Sequence, residues 1–213
     1  AKYDYENGLP VLYLLHGAYG DAFSWVRYSN IDRYAQDRGI VVVMASAENS
    51  FYQDLRSGKK YKTFFTEELP LFIRNVFPVS REREKTFIAG FSMGGYGAWY
   101  LALSRPELYA KAASMSGALD IAELYQAAAA GNNDNNPFHW EDCFGDPDKL
   151  AGSDYDLFTL YDRDVKNGCV PKLYQAVGRD DFLYPSNVYV RKLLEQKQAD
   201  LTYEEDKGGH DWN

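Results

Sequence analysis

Short apolar runs alternate along the chain with longer stretches of helical spacing. Val11-Leu12-Tyr13-Leu14-Leu15, Ile40 to Ala45, Thr86-Phe87-Ile88-Ala89, Ala110 to Gly117, Pro171 to Val177 and Leu201 to Glu205 read as strands. The first two are continuous apolar runs, as expected of strands covered on both faces of a parallel sheet. Between the strands, helical periodicity predicts helices over Trp25 to Gln36, Phe64 to Phe77, Gly95 to Leu103, Ile121 to Ala130, Asp154 to Val165 and Pro185 to Gln196. Pro70 limits or kinks the second, Pro106 closes the third, and Gly131 to Pro137 breaks the fourth. Residues 48 to 62, with Phe51-Tyr52-Gln53 and Ser57-Gly58-Lys59-Lys60, read as a long exposed loop. The alternation predicts an α/β domain whose mostly parallel central sheet is flanked by helices on both faces. No repeat or linker divides the chain, so one domain over residues 1–213 is expected, with a small irregular cap-like insertion around 131–153. Phe138, His139 and Trp140 in that insertion suit a satellite core better than a lid.

Composition narrows the partners. At 213 residues, 46% hydrophobic and 25% charged, the sequence is that of one soluble globular domain, and no apolar run approaches the length of a membrane span. A formal charge of -8 argues against nucleic acid, whose phosphates need a basic surface, and favours neutral or weakly charged substrates. Cys143 and Cys169 have no metal-ligand spacing and read as unpaired thiols in preference to a disulfide. The chain opens at Ala1 without an initiator methionine or a basic-then-apolar leader, which suggests a trimmed start and leaves a cytoplasmic location as the expectation.

Candidate chemistry centres on Gly90-Phe91-Ser92-Met93-Gly94. Alone, G-x-S-x-G is weak evidence in a chain with 17 glycines. Its setting, after a β-rich run and before a small-residue helix, is that of a nucleophile elbow, in which a Cβ at position 90 or 94 would collide with the neighbouring strand and helix. A serine hydroxyl needs an imidazole to take its proton and a carboxylate to hold that imidazole. In such folds the chain order is nucleophile, acid, histidine. Of the three histidines His16 precedes the serine and His139 precedes the acid-bearing loop, leaving His210, whose neighbour Trp212 should pack and fix the loop. His16 reads as ordering its own loop by hydrogen bonds. Gly178-Arg179-Asp180-Asp181-Phe182-Leu183 offers two adjacent acids, Asp180 and Asp181. Asp120 is an outsider, with a helix N-cap as its structural reading. For the developing oxyanion, the Met93 N–H lies at a helix amino terminus, and the loop after the first strand offers the N–H of Ala18, with Tyr19 as the nearby alternative.

With these residues assembled, the chain resembles the esterase family of α/β-hydrolases, in particular its bacterial tributyrin-esterase-like branch, which is related to S-formylglutathione hydrolases (esterase D) and to feruloyl and acetylxylan esterases. The resemblance rests on Tyr13-Leu14-Leu15-His16-Gly17, Glu67-Glu68-Leu69-Pro70, Phe87 to Ala98, Phe144-Gly145-Asp146, Asp181-Phe182-Leu183-Tyr184 and Gly209-His210-Asp211-Trp212. It implies an α/β-hydrolase fold, Ser92 as nucleophile, His210 as base, Asp181 as acid from the last position of a G-x-x-D pattern, and Met93 with Ala18 as oxyanion donors. Family members carry further amino-terminal strands before the His-Gly loop and a final helix after the histidine, both outside this chain. The loop after His16-Gly17 lacks the threonine and cysteine common in S-formylglutathione hydrolases, which turns the expectation away from that substrate. The implied function is hydrolysis of short-chain acyl esters through an acyl-serine, with no metal or organic cofactor and a small-molecule or saccharide ester as partner. The alternatives are a feruloyl or acetylxylan esterase, an acyltransferase, and a non-catalytic carbohydrate-binding protein on the same fold.

Overall fold

The computed structural model describes residues 6–131 and 138–212. Within them β1 (Val11–Leu15), β2 (Val41–Val43), β3 (Thr86–Phe91), β4 (Lys111–Met115), β5 (Lys172–Gly178) and β6 (Leu201–Asp206) form one sheet in the order β2-β1-β3-β4-β5-β6, with every neighbouring pair parallel. Parallel pairing requires crossovers, and helices supply them: α1 (Ser24–Tyr28), α2 (Ile31–Arg38), α3 (residues 61–76), α4 (Met93–Ser104), α5 (Ile121–Ala130), α6 (Trp140–Phe144), α7 (Leu157–Asn167) and α8 (Tyr184–Gln196). From β1 the chain goes to β2 on one side and then returns to β3 on the other. Strand order therefore reverses between β1 and β3, and the crevice outside their carboxyl ends is where an open α/β sheet binds ligands.

Alternating residues of the strands feed two cores of unequal size. Val11, Tyr13, Leu15, Ile88 and Ala112 join the principal core, whereas on the other face Leu14, Ala89 and Trp25 form a small one, with Leu12, Phe91, Met115 and Trp212 packed partly buried against it. Helix α4 crosses the principal core with every residue but Ser104 buried, which is why its sequence is apolar all round.

The structure corrects the sequence reading in several places. The stretch from Trp25 to Gln36 is two helices, because Ser29 is extended (φ -139°, ψ 175°) and its hydroxyl donates to the Trp25 carbonyl at 2.5 Å, a competition that short polar side chains mount against helix hydrogen bonds. The strand expected over Ile40 to Ala45 shortens to three residues. The loop from 48 to 62 is exposed only in part, since Phe51, Tyr52, Gln53 and Leu55 are buried. Phe51 stacks on Trp140 at 4.8 Å, and the Tyr52 hydroxyl donates to the His16 carbonyl at 2.9 Å. Helix α3 starts at Tyr61 and runs through Pro70 unbroken, by way of a π-helical turn at Phe64–Glu68. A proline ring presses on the carbonyl four residues back, here Thr66, which lies inside that wider turn. Trp140 and Phe144 belong to the principal core and not to a satellite, because Phe51 and Tyr125 join them to it. Residues 132–137 of the proposed cap-like insertion lie outside the described residues. Both cysteines are free thiols.

Candidate active site

Three carboxyl-terminal strand ends deliver the serine, the acid and the histidine. Beyond β3 the chain reverses at Ser92, whose φ of 58° and ψ of -119° hold a non-glycine residue in a strained conformation. Glycine at 90 and 94 makes the reversal possible: a Cβ on Gly90 would run into the Gly94 carbonyl, and one on Gly94 would lie 2.6 Å from the carbonyl oxygens of Leu15 and His16. The elbow is tied to its surroundings through the Ser92 N–H, which donates to the Met115 carbonyl at 2.9 Å, and the Ala118 N–H, which donates to the Ser92 carbonyl at 3.3 Å.

Beyond β5, Asp180 is exposed while its neighbour Asp181 turns inward and is 4% exposed. The Leu183 N–H donates to Asp181 Oδ1 at 2.7 Å. Beyond β6, His210 Nδ1 lies 2.9 Å from Asp181 Oδ2 and 3.1 Å from Oδ1, and Nε2 lies 2.8 Å from Ser92 Oγ. The imidazole sits between the rings of Phe91 and Phe182, with centroids at 4.9 and 4.6 Å. Trp212 is held against Trp25 and Phe91, both at 4.7 Å, and stacks on Tyr28 at 5.6 Å, so the segment after the histidine is anchored by packing.

The other predicted residues take the places their chemistry allows. His16 accepts the Ala47 N–H at Nε2 (2.9 Å), so its proton sits on Nδ1, which donates to the Gly17 carbonyl at 2.7 Å. Burial lowers its pKa below the usual 6.5 and keeps it neutral, as a loop-ordering group. His139 opens α6 on the exposed surface. Asp120 caps α5, accepting the Glu123 N–H at 3.2 Å, and burial raises its pKa. Of the two N–H groups weighed for the oxyanion, that of Tyr19 donates to Asn49 Oδ1 at 2.8 Å, whereas Ala18 lines the cleft beside Ser92. Met93 is the first residue of α4, so its N–H has no carbonyl one turn back to bond.

The cleft around Ser92 and His210 encloses about 510 Å³. Phe182 and Tyr19 stand at its rim, 73% and 72% exposed, and at one end Arg27 Nη1 pairs with both carboxylate oxygens of Asp21 at 2.9 and 2.8 Å. A wider groove of about 650 Å³ follows the thinly covered sheet face past Trp25 and Tyr203, but it contains none of Ser92, Asp181 or His210. Sequence reasoning missed Asn49 and Arg27. Nothing local marks Asn49, which acts on a loop 30 residues earlier.

A parallel sheet with helices on both sides and a serine at the reversal after its third strand defines the class, an α/β-hydrolase. The model of the family described as "Putative esterase" matches residues 1–213, and the chain belongs to that family of carboxylesterases. It is 38% identical over 218 residues to an acetyl esterase of Caldicellulosiruptor saccharolyticus, covering 99% of this chain and 80% of that protein. Among solved structures, the substrate-bound fluorophosphonate-binding serine hydrolase F of Staphylococcus aureus superposes with a TM-score of 0.86 at 31% identity, over 97% of this chain and 78% of the other. An S-formylglutathione hydrolase from Staphylococcus aureus gives a TM-score of 0.83 at 30% identity, over 97% and 79%.

Proposed function

We propose that the protein hydrolyses short-chain acyl esters through an acyl-Ser92 intermediate. The observation that carries this reading is the 2.8 Å separation of His210 Nε2 from Ser92 Oγ, with Asp181 on the far side of the ring. Ser92 Oγ attacks the ester carbonyl as its proton passes to His210 Nε2. Asp181 accepts the Nδ1–H, fixing the tautomer and stabilising the imidazolium. The N–H groups of Met93 and Ala18 receive the negative charge on the carbonyl oxygen. His210 then protonates the departing alcohol and activates a water that attacks the acyl carbonyl, releasing the acid and restoring Ser92. No step calls for a metal or an organic cofactor. A cleft of about 510 Å³ suits a small ester, and the similarity to an acetyl esterase favours a short acyl half.

A second reading, an esterase of feruloylated or acetylated plant-wall saccharides, is favoured by the exposed rings of Tyr19 and Phe182 at the rim, which offer flat faces to a sugar or aromatic acid. Initial rates on p-nitrophenyl acetate, butyrate and octanoate, methyl ferulate and acetylated xylan separate the two. Turnover of the short p-nitrophenyl esters alone, abolished in Ser92→Ala, supports the first reading, and preference for ferulate or xylan supports the second. Undiminished turnover in Ser92→Ala would sink both.

A further inference from the structure

Asn187, the fourth residue of α8, is fully buried, and both polar atoms of its amide are hydrogen-bonded. Nδ2 donates to the Gly117 carbonyl at 2.9 Å and to the Leu183 carbonyl at 3.0 Å. Oδ1 accepts from Gln175 Nε2 at 2.9 Å, and the same Nε2 reaches the Asn187 carbonyl at 2.8 Å. Two carbonyls facing Nδ2 admit only a donor there, so the orientation of the amide is fixed by its partners. Gln175 lies on β5 and is itself fully buried.

The two carbonyls belong to separate turns, and each turn touches a different member of the serine, histidine and aspartate set. Leu183 is the residue whose N–H holds Asp181 Oδ1 at 2.7 Å. Gly117 precedes Ala118, whose N–H donates to the Ser92 carbonyl at 3.3 Å. The Leu183 carbonyl is already met by the backbone N–H of Asn187 at 2.9 Å, so α8 itself does not need the side chain there. The second reach, across to the turn after β4, couples the acid turn to the nucleophile elbow through one side chain.

We infer that Asn187 is a positioning residue, clamped by Gln175, that holds the Asp181 turn in register with the Ser92 elbow. The inference rests on the proposed roles of Ser92, Asp181 and His210. Asn187 touches no substrate; it sets the distance over which Asp181 can hold the imidazole that Ser92 needs.

The test uses Asn187→Asp and Asn187→Leu, which keep the size of the side chain and remove its donors. The readouts are kcat and KM on p-nitrophenyl acetate, the melting temperature, and the far-downfield proton resonance of the imidazole bonded to Asp181. Val190→Ala, which removes buried methyls from the same helix, serves as the packing control. Displacement on the scale of an ångström predicts a fall in kcat on the order of 10- to 100-fold with KM nearly unchanged, and a broadened or lost imidazole resonance. Val190→Ala is expected to melt earlier with kcat intact. Asn187 variants that melt earlier but keep kcat and the resonance would overturn the inference and leave Asn187 a packing residue. Should both variants fail to fold, Gln175→Leu, which removes the donor that holds Oδ1 and the Asn187 carbonyl, carries the test: a smaller fall in kcat supports the clamp and an unchanged kcat overturns it. Failure of the ester reading itself would show separately, as wild-type protein without Ser92-dependent turnover, while the imidazole resonance would still report the hold of Asn187 on Asp181.

Discussion

Replacing Gly94 by alanine tests how tightly the elbow is built against the loop that is to hold the oxyanion. The added Cβ would lie 2.6 Å from the carbonyl oxygens of both Leu15 and His16, against the 3.4 Å at which ordinary contact begins, so loop and helix must part by about 0.8 Å. Both obstacles are backbone, and no rotamer change relieves them. Overpacking of this kind costs about 1–3 kcal/mol. For a chain of this size that is a fall in melting temperature of roughly 2–12 °C. The activity effect is expected to be larger, because the displaced loop carries Ala18 and the displaced helix carries Met93, and misplacing reacting groups by near an ångström costs on the order of 100-fold. Initial rates on p-nitrophenyl acetate and thermal melts of Gly94→Ala beside Gly131→Ala make the comparison, since a Cβ on Gly131 meets nothing closer than 3.5 Å. Wild-type kcat/KM and melting temperature in Gly94→Ala would refute the reasoning, for they would mean that the elbow has slack the structure does not show.

Three further outcomes are expected. Asp181→Asn offers the imidazole an amide that can favour the wrong tautomer, and kcat should drop by about 10⁴-fold with the fold intact, as read by steady-state kinetics beside circular dichroism. His16 is buried neutral with its pKa lowered from 6.5, so its contribution to stability is full above about pH 6.5 and is lost as pH falls through the lowered folded-state value. Melting temperature should therefore decline on acidification below pH 6.5, and the part of that decline due to His16 should vanish in His16→Gln. Burial pushes the Cys143 thiol up to about 12, whereas Cys169 is partly exposed, so a thiol reagent should react with at most one cysteine in native protein and with two after denaturation.

Most of the frame was legible because its signals are local. The apolar runs at Val11–Leu15 and Thr86–Phe91 announce buried strands, and the serine between glycines announces the turn that follows. Asp120 was legible as a cap for the same reason, its acceptor lying three residues from the N–H it binds. Where sequence spacing left alternatives, their surroundings differ through contacts between distant segments. Asp180 and Asp181 have the same charge and adjacent places, and only the fold buries one and exposes the other. Tyr19 stood beside Ala18 as the alternative donor, and its N–H is engaged by Asn49, 30 residues on. Phe51 and Tyr52 sit in a stretch punctuated like a surface loop, and their burial comes from Trp140 and His16, which no local pattern couples to them. Asn187 is of the same kind, the one polar member of the buried face of its helix, with partners on two turns and on β5.

The position of β6 in the sheet bears on how the protein fails under stress. Among the described residues Ser92 and Asp181 follow interior strands, but His210 follows the outermost one, which pairs with β5 alone. An edge strand can detach in a partial opening that leaves the rest of the sheet assembled, and such openings need less free energy than global unfolding. Catalysis should consequently disappear in urea before the far-ultraviolet signal of the helices does, and amide protons of β6 should exchange sooner than those of β3. Loss of activity in this molecule would then report the fraying of one strand, while most of the chain is still folded.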